Sequence, residues 1–184
     1  MGFLVNSFIE FPETCTCTNY NTNTSSMTYL DFGNQSWAGV IFGTILESGN
    51  AHLGKKLCAV KFKLYRTNTN AQTLSFGIVS TGTTDGTLDY SFSETVDATA
   101  LTTNTAGEDV IITGDPLDHV LAIGDVIAVR SNNTSTNTKV RTDRTSDAMT
   151  NAQCARLNSA GTWYVTDVGG GVPHYIEGSF GVCE

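Results

Sequence analysis

Short segments in which apolar and polar residues alternate recur between Leu53 and Val129, and this pattern constrains the fold more than any other. The clearest example is residues 57–66. Its apolar members are Val60, Phe62 and Leu64, and between them stand Lys61, Lys63 and Tyr65. A period of two places these sets on opposite faces of a β-strand, so we expect the first set in a core and the second in water.

Comparable segments occupy most of the chain and are separated by turn residues. Predicted strands cover residues 27–32, 37–46, 57–66, 73–79, 110–113, 125–130, 139–142, 155–157, 162–165 and 175–180. The best helical candidate is the short, threonine-rich segment Ser93 to Leu101. Many close strands without intervening helices exclude a parallel β-α-β architecture. Long connections at 80–109 and 143–160 favour a jelly-roll-like antiparallel sandwich over an up-and-down barrel.

The length of 184 residues fits one domain, which we assign to residues 31–184. Residues 1–30 form a predicted N-terminal arm followed by a loop rich in threonine and asparagine. The arm carries several large apolar residues that we predict to contact a neighbouring subunit, namely Phe3, Val5, Phe8 and Phe11.

The charge of the chain limits its partners. The formal net charge is −8, which disfavours nucleic acid because phosphate is bound mainly by Lys and Arg. Only 15% of residues are charged, so close packing against another protein desolvates few charges. No apolar run reaches the roughly 20 residues that a membrane helix needs. The N-terminus lacks the basic start of a signal peptide, so either no leader exists or one has been removed.

The five cysteines leave two structural readings open. Cys15 and Cys17 stand two residues apart, whereas Cys58, Cys154 and Cys183 are isolated. Free or structural thiols are favoured over a disulfide, and no second ligand pair supports a zinc site. Cys58 lies in a predicted strand and fits a small core residue.

The order of strands and turns resembles the lectin-like jelly-roll domains of phage and archaeal-virus structural proteins and of prokaryotic surface proteins. The resemblance covers about residues 50–180 and is carried by residues 53–57, 60–64, 74–78, 121–129 and 161–164. In such domains a Leu-x-x-Gly-Asp segment is a turn before a core strand, and Gly124 and Asp125 match that role.

No catalytic constellation is visible in the sequence, so we predict a protein that is not an enzyme. The histidines are His52, His119 and His174, and no nucleophile motif flanks them.

Acidic residues concentrate in two turn segments, where Asp85 and Asp89 form one pair and Asp115 and Asp118 form the other. Carboxylate oxygens of this kind can coordinate calcium. Aspartate also favours turns for local hydrogen bonding, so no cofactor is required.

A second hypothesis is a carbohydrate-binding site, in which an exposed aromatic ring stacks on the sugar and polar side chains bind its hydroxyls. Trp163 and Tyr164 follow a glycine at the start of a predicted strand, and Asp115 and Asp118 offer acceptors for sugar hydroxyls. The competing reading is that at least one of the two rings fills the core.

Together these features predict a virion structural protein, such as a capsid decoration protein or a tail or spike component. It would form a homo-oligomer, with a trimer favoured, and dock on coat subunits. Synthesis in the host cytoplasm and incorporation into the virion follow from this reading. The alternatives are a carbohydrate-binding module that contacts cell-surface glycans and an extracellular surface-layer or filament subunit.

Overall fold

The structure is a computed structural model that describes residues 18–19, 27–31, 39–67, 72–132, 138–143, 152–158, 160–165, 175–176 and 178–183. Thirteen strands and one 3-10 turn fall within these ranges. The strands are β1 (Thr18–Asn19), β2 (Met27–Asp31), β3 (Gly39–Leu46), β4 (Lys56–Arg66), β5 (Thr73–Ser80), β6 (Tyr90–Asp97), β7 (Glu108–Thr113), β8 (Asp125–Ser131), β9 (Thr138–Asp143), β10 (Ala152–Asn158), β11 (Trp163–Val165), β12 (Tyr175–Ile176) and β13 (Gly178–Cys183). No helix in these ranges has the length and apolar character needed to cross a bilayer.

The strands form two antiparallel sheets. Sheet I has the order β1-β13-β4-β9-β12, with β2 also paired to β9 and β7 also paired to β4. Sheet II has the order β11-β10-β3-β8-β5-β6. The predicted all-β antiparallel sandwich is therefore confirmed. It includes β1 and β2, which lie N-terminal to the predicted domain start at residue 31.

Eight central strands pair in a nested order. β5 pairs with β6, β4 with β7, β3 with β8, and β2 with β9, all antiparallel. The chain between β2 and β9 thus behaves as one long hairpin that has been rolled into two layers. Such nested pairing is the arrangement of an eight-stranded jelly roll, in which the long connections cross between the sheets.

The main core lies between the sheets and is built around three aromatic rings. Phe62 of β4 lies 5.9 Å, between ring centroids, from both Phe76 of β5 and Phe180 of β13. All three are buried together with the leucines, isoleucines and valines of the inner faces. Burial of one such side chain stabilises the fold by roughly 1.5–3 kcal/mol.

A second apolar cluster lies on the outer face of sheet II. Its buried members are Ile41, Val79, Val126, Ala128, Ala155 and Leu157. Leu88 from the β5–β6 loop and Trp163 from β11 pack against this cluster. Strand β8 is therefore buried on both faces, which explains why its sequence is continuously apolar rather than alternating.

Two predictions for the strands are wrong. Tyr65 was expected in water with Lys61 and Lys63, but Tyr65 is only 2% exposed. The segment Ser93–Leu101 is not a helix, because β6 continues to Asp97 and only residues 98–100 form a 3-10 turn. Pairing with β5 and the β-branched residues of β6 favour the extended chain there.

The cysteines differ from the expectation of free thiols. Cys58 and Cys183 each take part in a disulfide, whereas Cys154 is a buried free thiol. The expectation is thus wrong for the first two and confirmed for the third. The distance between Cα atoms decides whether two sulfurs can bond, and sequence spacing does not report it. Cys58 is nevertheless buried, as predicted, while Cys15 and Cys17 lie outside the described residues.

Candidate functional site

The connection from β7 to β8, residues 114–124, is fastened to the start of β4 by main-chain hydrogen bonds. Leu117 N–H donates to Leu57 O at 2.8 Å, and Leu121 N–H donates to Lys55 O at 2.8 Å. Both leucine side chains are buried in the main core. The residues between them, 118–120, are consequently held away from the core, and residues 118 and 120 are exposed.

A tight turn ends this connection at Ala122–Asp125. Asp125 N–H donates to Ala122 O at 3.2 Å, and Gly124 has a φ of 89°, a value that glycine adopts without strain. The Asp125 side chain closes the turn, since its Oδ2 accepts the N–H of Ala122 at 2.8 Å. The turn predicted at Gly124 and Asp125, immediately before a core strand, is confirmed.

The same carboxylate oxygen holds a histidine and, through it, a tyrosine. His119 Nε2 lies 2.6 Å from Asp125 Oδ2. The Tyr90 ring, at the first residue of β6, stacks on His119 with ring centroids 4.4 Å apart and an interplanar angle of 23°. Asp125 is only 6% exposed, so it anchors the two rings from below.

Three large apolar side chains are exposed around this support. Tyr90 is 39% exposed, Val120 is 51% exposed, and Ile123 at the tip of the turn is 65% exposed. We call Tyr90, His119, Val120 and Ile123 the apolar tip. Exposed apolar groups that are grouped and rigidly held mark interaction surfaces in soluble proteins. The arrangement can therefore exclude water from a contact with another molecule.

The predicted sugar-binding residues are divided between two parts of the fold. Trp163 of β11 donates its Nε1–H to Thr83 O at 2.9 Å and packs on the outer apolar cluster. Tyr164 is exposed, and the Arg156 guanidinium carbon lies 4.8 Å from its ring centroid. The ring of Tyr164, rather than that of Trp163, is accessible for stacking.

The predicted acidic partners lie on the 114–124 connection. Asp115 is exposed, and Asp118 lies 3.4 Å from the Lys56 ammonium. The structure therefore places the aromatic pair on β11 and the acidic pair beside β4, on separate elements.

Asp85 and Asp89 are occupied by hydrogen bonds within their own loop. Asp85 accepts the Thr87 N–H, and Asp89 accepts the Ser80 N–H. The hydrogen bond from the Thr87 hydroxyl to Asp85, followed by that from the Thr87 N–H, lowers the pKa of Asp85. Across the described ranges no three His, Cys, Asp or Glu side chains stand together as metal ligands.

His52 is a structural histidine. It is buried, and its Nδ1 lies 3.0 Å from Asn50 Oδ1. Burial lowers the pKa of His52, and the charge of Lys55 lowers it further. His174 and the predicted subunit contacts Phe3, Val5, Phe8 and Phe11 lie outside the described residues.

Sequence reasoning named Tyr90 only among several aromatic candidates for a sugar platform, and it did not find Val120 and Ile123. A signal was present for the last two, since Val120 and Ile123 lie on either side of Leu121 and Ile123 precedes the turn glycine. The stack of Tyr90 on His119 carried no comparable signal, because the two residues belong to distant elements. No protein-family model, curated protein or solved structure matches this chain.

Proposed function

We propose that this protein is a non-enzymatic structural component of a virion, either a capsid decoration protein or a part of the tail or spike. It acts by self-association, with a trimer favoured, and by docking on coat subunits. The observation that carries this proposal is the apolar tip, in which exposed Tyr90, Val120 and Ile123 sit on a turn fixed by Asp125. A preorganised apolar surface loses little conformational entropy on association.

Two further observations support an extracellular particle. Cys58 and Cys183 are disulfide-bonded, and disulfides persist mainly outside the reducing cytosol. The low proportion of charged residues lowers the cost of desolvation at a subunit contact.

The test is the mass of the protein in solution by light scattering across a range of concentrations. We expect a stable trimer for the unmodified chain and a monomer for the double variant Val120→Ser, Ile123→Ser. The matched control is Ile111→Ser, which replaces an equally exposed isoleucine on β7 away from the apolar tip. A monomer at every concentration, or equal dissociation by the control, would contradict self-association through the tip.

The virion assignment has its own test. Density-gradient purification of virus particles from the source, followed by peptide mass spectrometry, should find this chain at a fixed ratio to the coat protein. Recovery only in the particle-free fraction would contradict the assignment, even if the protein is a trimer.

A carbohydrate-binding module is the second candidate, and the exposed Tyr164 favours it. Binding to a glycan array should be lost in Tyr164→Ala while the circular dichroism spectrum is unchanged. Trp163→Ala is a poor probe, because Trp163 packs on the outer cluster and its loss destabilises the fold. An array with no glycan above background would remove this candidate.

A further inference from the structure

Strands β6 and β7 leave two free sheet edges side by side. In the described part of the chain β6 pairs only with β5, and β7 pairs only with β4. The two strands run in opposite directions, and Phe92 of β6 lies beside Gly114, directly after β7. We call the free edges of β6 and β7 the open seam.

The open seam presents main-chain groups that no other strand satisfies. Ala98 N–H donates to Gln72 O at 2.8 Å, and hydrogen-bonded residues alternate along an antiparallel pair. Thr95 therefore directs its N–H and C=O groups away from β5, and Asp97 directs its N–H the same way, while the Asp97 C=O accepts the first bond of the 3-10 turn. The bond from Gly114 N–H to Cys58 O at 3.1 Å sets the same alternation for β7. An extended peptide could thus add to either edge through main-chain hydrogen bonds.

The charged side chains of β6 and β7 are all acidic. Neither β6 nor β7 contains Lys or Arg. Asp109 is balanced by Lys61 at 3.6 Å and Lys63 at 3.5 Å. In contrast, no cation lies within ion-pair distance of Glu94, Asp97 or Glu108 in the described ranges.

Asp97 ends β6 and Glu108 begins β7, so these two carboxylates stand at the same end of the seam, and Glu94 lies three residues before Asp97. Asp97 and Glu108 also accept the N–H groups of Thr99 and Thr102, respectively, which fixes both side chains. Their negative charge stays uncompensated at the surface.

We propose that the open seam binds an extended segment of another protein that is rich in Lys and Arg, which adds as a strand to β6. The N–H and C=O of Thr95 and the N–H of Asp97 supply the pairing, and Glu94, Asp97 and Glu108 attract the basic side chains. A second copy of this chain is disfavoured as the occupant, because pairing β6 with β6 brings acidic residues together. The proposal is independent of the virion assignment, since it specifies only the chemistry of the partner.

The experiment is a titration of the ¹⁵N-labelled protein with a capped seven-residue peptide of alternating lysine and valine. We expect the largest amide shifts at Thr95 and Asp97, and affinity that falls as salt is added. The same peptide with glutamate in place of lysine should not bind. Glu94→Gln should weaken binding roughly two- to fivefold, as expected for one exposed charge pair.

A proline variant tests strand addition itself. Thr95→Pro removes an outward N–H without removing a bond to β5, and edge strands tolerate proline at such positions. It should weaken binding roughly five- to tenfold, the effect of one hydrogen bond. Thr113→Ser, on β7 at the opposite end from the carboxylates, is the matched control and should bind normally.

Four results would overturn the proposal. They are no shifts at millimolar peptide, equal binding of the glutamate peptide, unchanged binding by Thr95→Pro, or shifts centred on Val120 and Ile123 instead of on Thr95 and Asp97. Absence of a trimer in light scattering would bear on the proposed function alone and leave this test unaffected.

Discussion

Replacement of Asp125 tests whether one carboxylate supports the apolar tip. Its Oδ2 accepts hydrogen bonds from His119 at 2.6 Å and from Ala122 at 2.8 Å, and the side chain is nearly inaccessible to water. A hydrogen bond to a charged group contributes about 1.5–3 kcal/mol when it is buried. Because Ala122 is exposed and His119 is half-buried, water can reach both donors after the loss. We therefore expect Asp125→Ala to lower the free energy of unfolding by about 2–3 kcal/mol.

Asp125→Asn refines this expectation, since the amide keeps the shape and one acceptor oxygen. Its cost should be about 1 kcal/mol, because both hydrogen bonds go to one oxygen that the amide can keep, and only the charge of the acceptor is lost. The measurement is urea unfolding followed by circular dichroism at neutral pH. Asp118→Ala is the control, because Asp118 is exposed and its contact with Lys56 lies at the surface, where such pairs contribute little. Equal stability of Asp125→Ala and the control would refute the supporting role of Asp125.

Three further predictions concern other parts of the fold. Gly77→Ala should destabilise the protein by at least about 1–3 kcal/mol in urea unfolding, because a Cβ there would lie 2.0 Å from the carbonyl oxygen of Tyr90; unchanged stability would contradict this packing. Burial holds the pKa of His52 below its usual 6.5, so the unfolded chain binds the proton first and the free energy of unfolding should fall as pH drops below about 6.5, a slope absent in His52→Gln. Burial raises the pKa of the Cys154 thiol to about 12, so iodoacetamide at pH 8 should modify Cys154 only in denaturant, and rapid labelling of the folded protein would show that it is accessible.

The alternation of apolar residues predicted β4 and β5 because each has one face in the core. The same signal failed for strands that do not have one buried face and one exposed face. Strand β8 was predicted among the alternating segments, but it is continuously apolar, because the main core covers one of its faces and the outer cluster covers the other. Strand β6 lies at an edge with most side chains exposed, and its polar sequence resembled a helix or loop. The alternation of residues reports burial on one face only. It therefore does not describe a strand such as β8, whose two faces are both covered, or a strand such as β6, whose side chains are mostly exposed.

Only the part of the candidate site that is built from residues adjacent in sequence could be predicted. Gly124 and Asp125 form a turn whose chemistry is contained in adjacent residues. The stack of Tyr90 on His119 joins the start of β6 to the connection before β8, which only the path of the chain between the sheets brings together. Tyr65 was misjudged for a related reason, because its side of β4 is covered rather than open to solvent.

The nested pairing has a consequence for synthesis on the ribosome. Met27 of β2 pairs with Asp143 of β9, whereas the central hairpin of β5 and β6 joins residues close in sequence. At roughly 5–20 residues per second, β2 waits on the order of ten seconds for its partner strand to be translated. The hairpin can form early, and the partner of each outer strand is translated only after the pair inside it, so β2 is the strand of the nested set that is exposed longest to mispairing. Slow closure of such distant contacts also makes folding of the finished chain slow compared with helical proteins of this size.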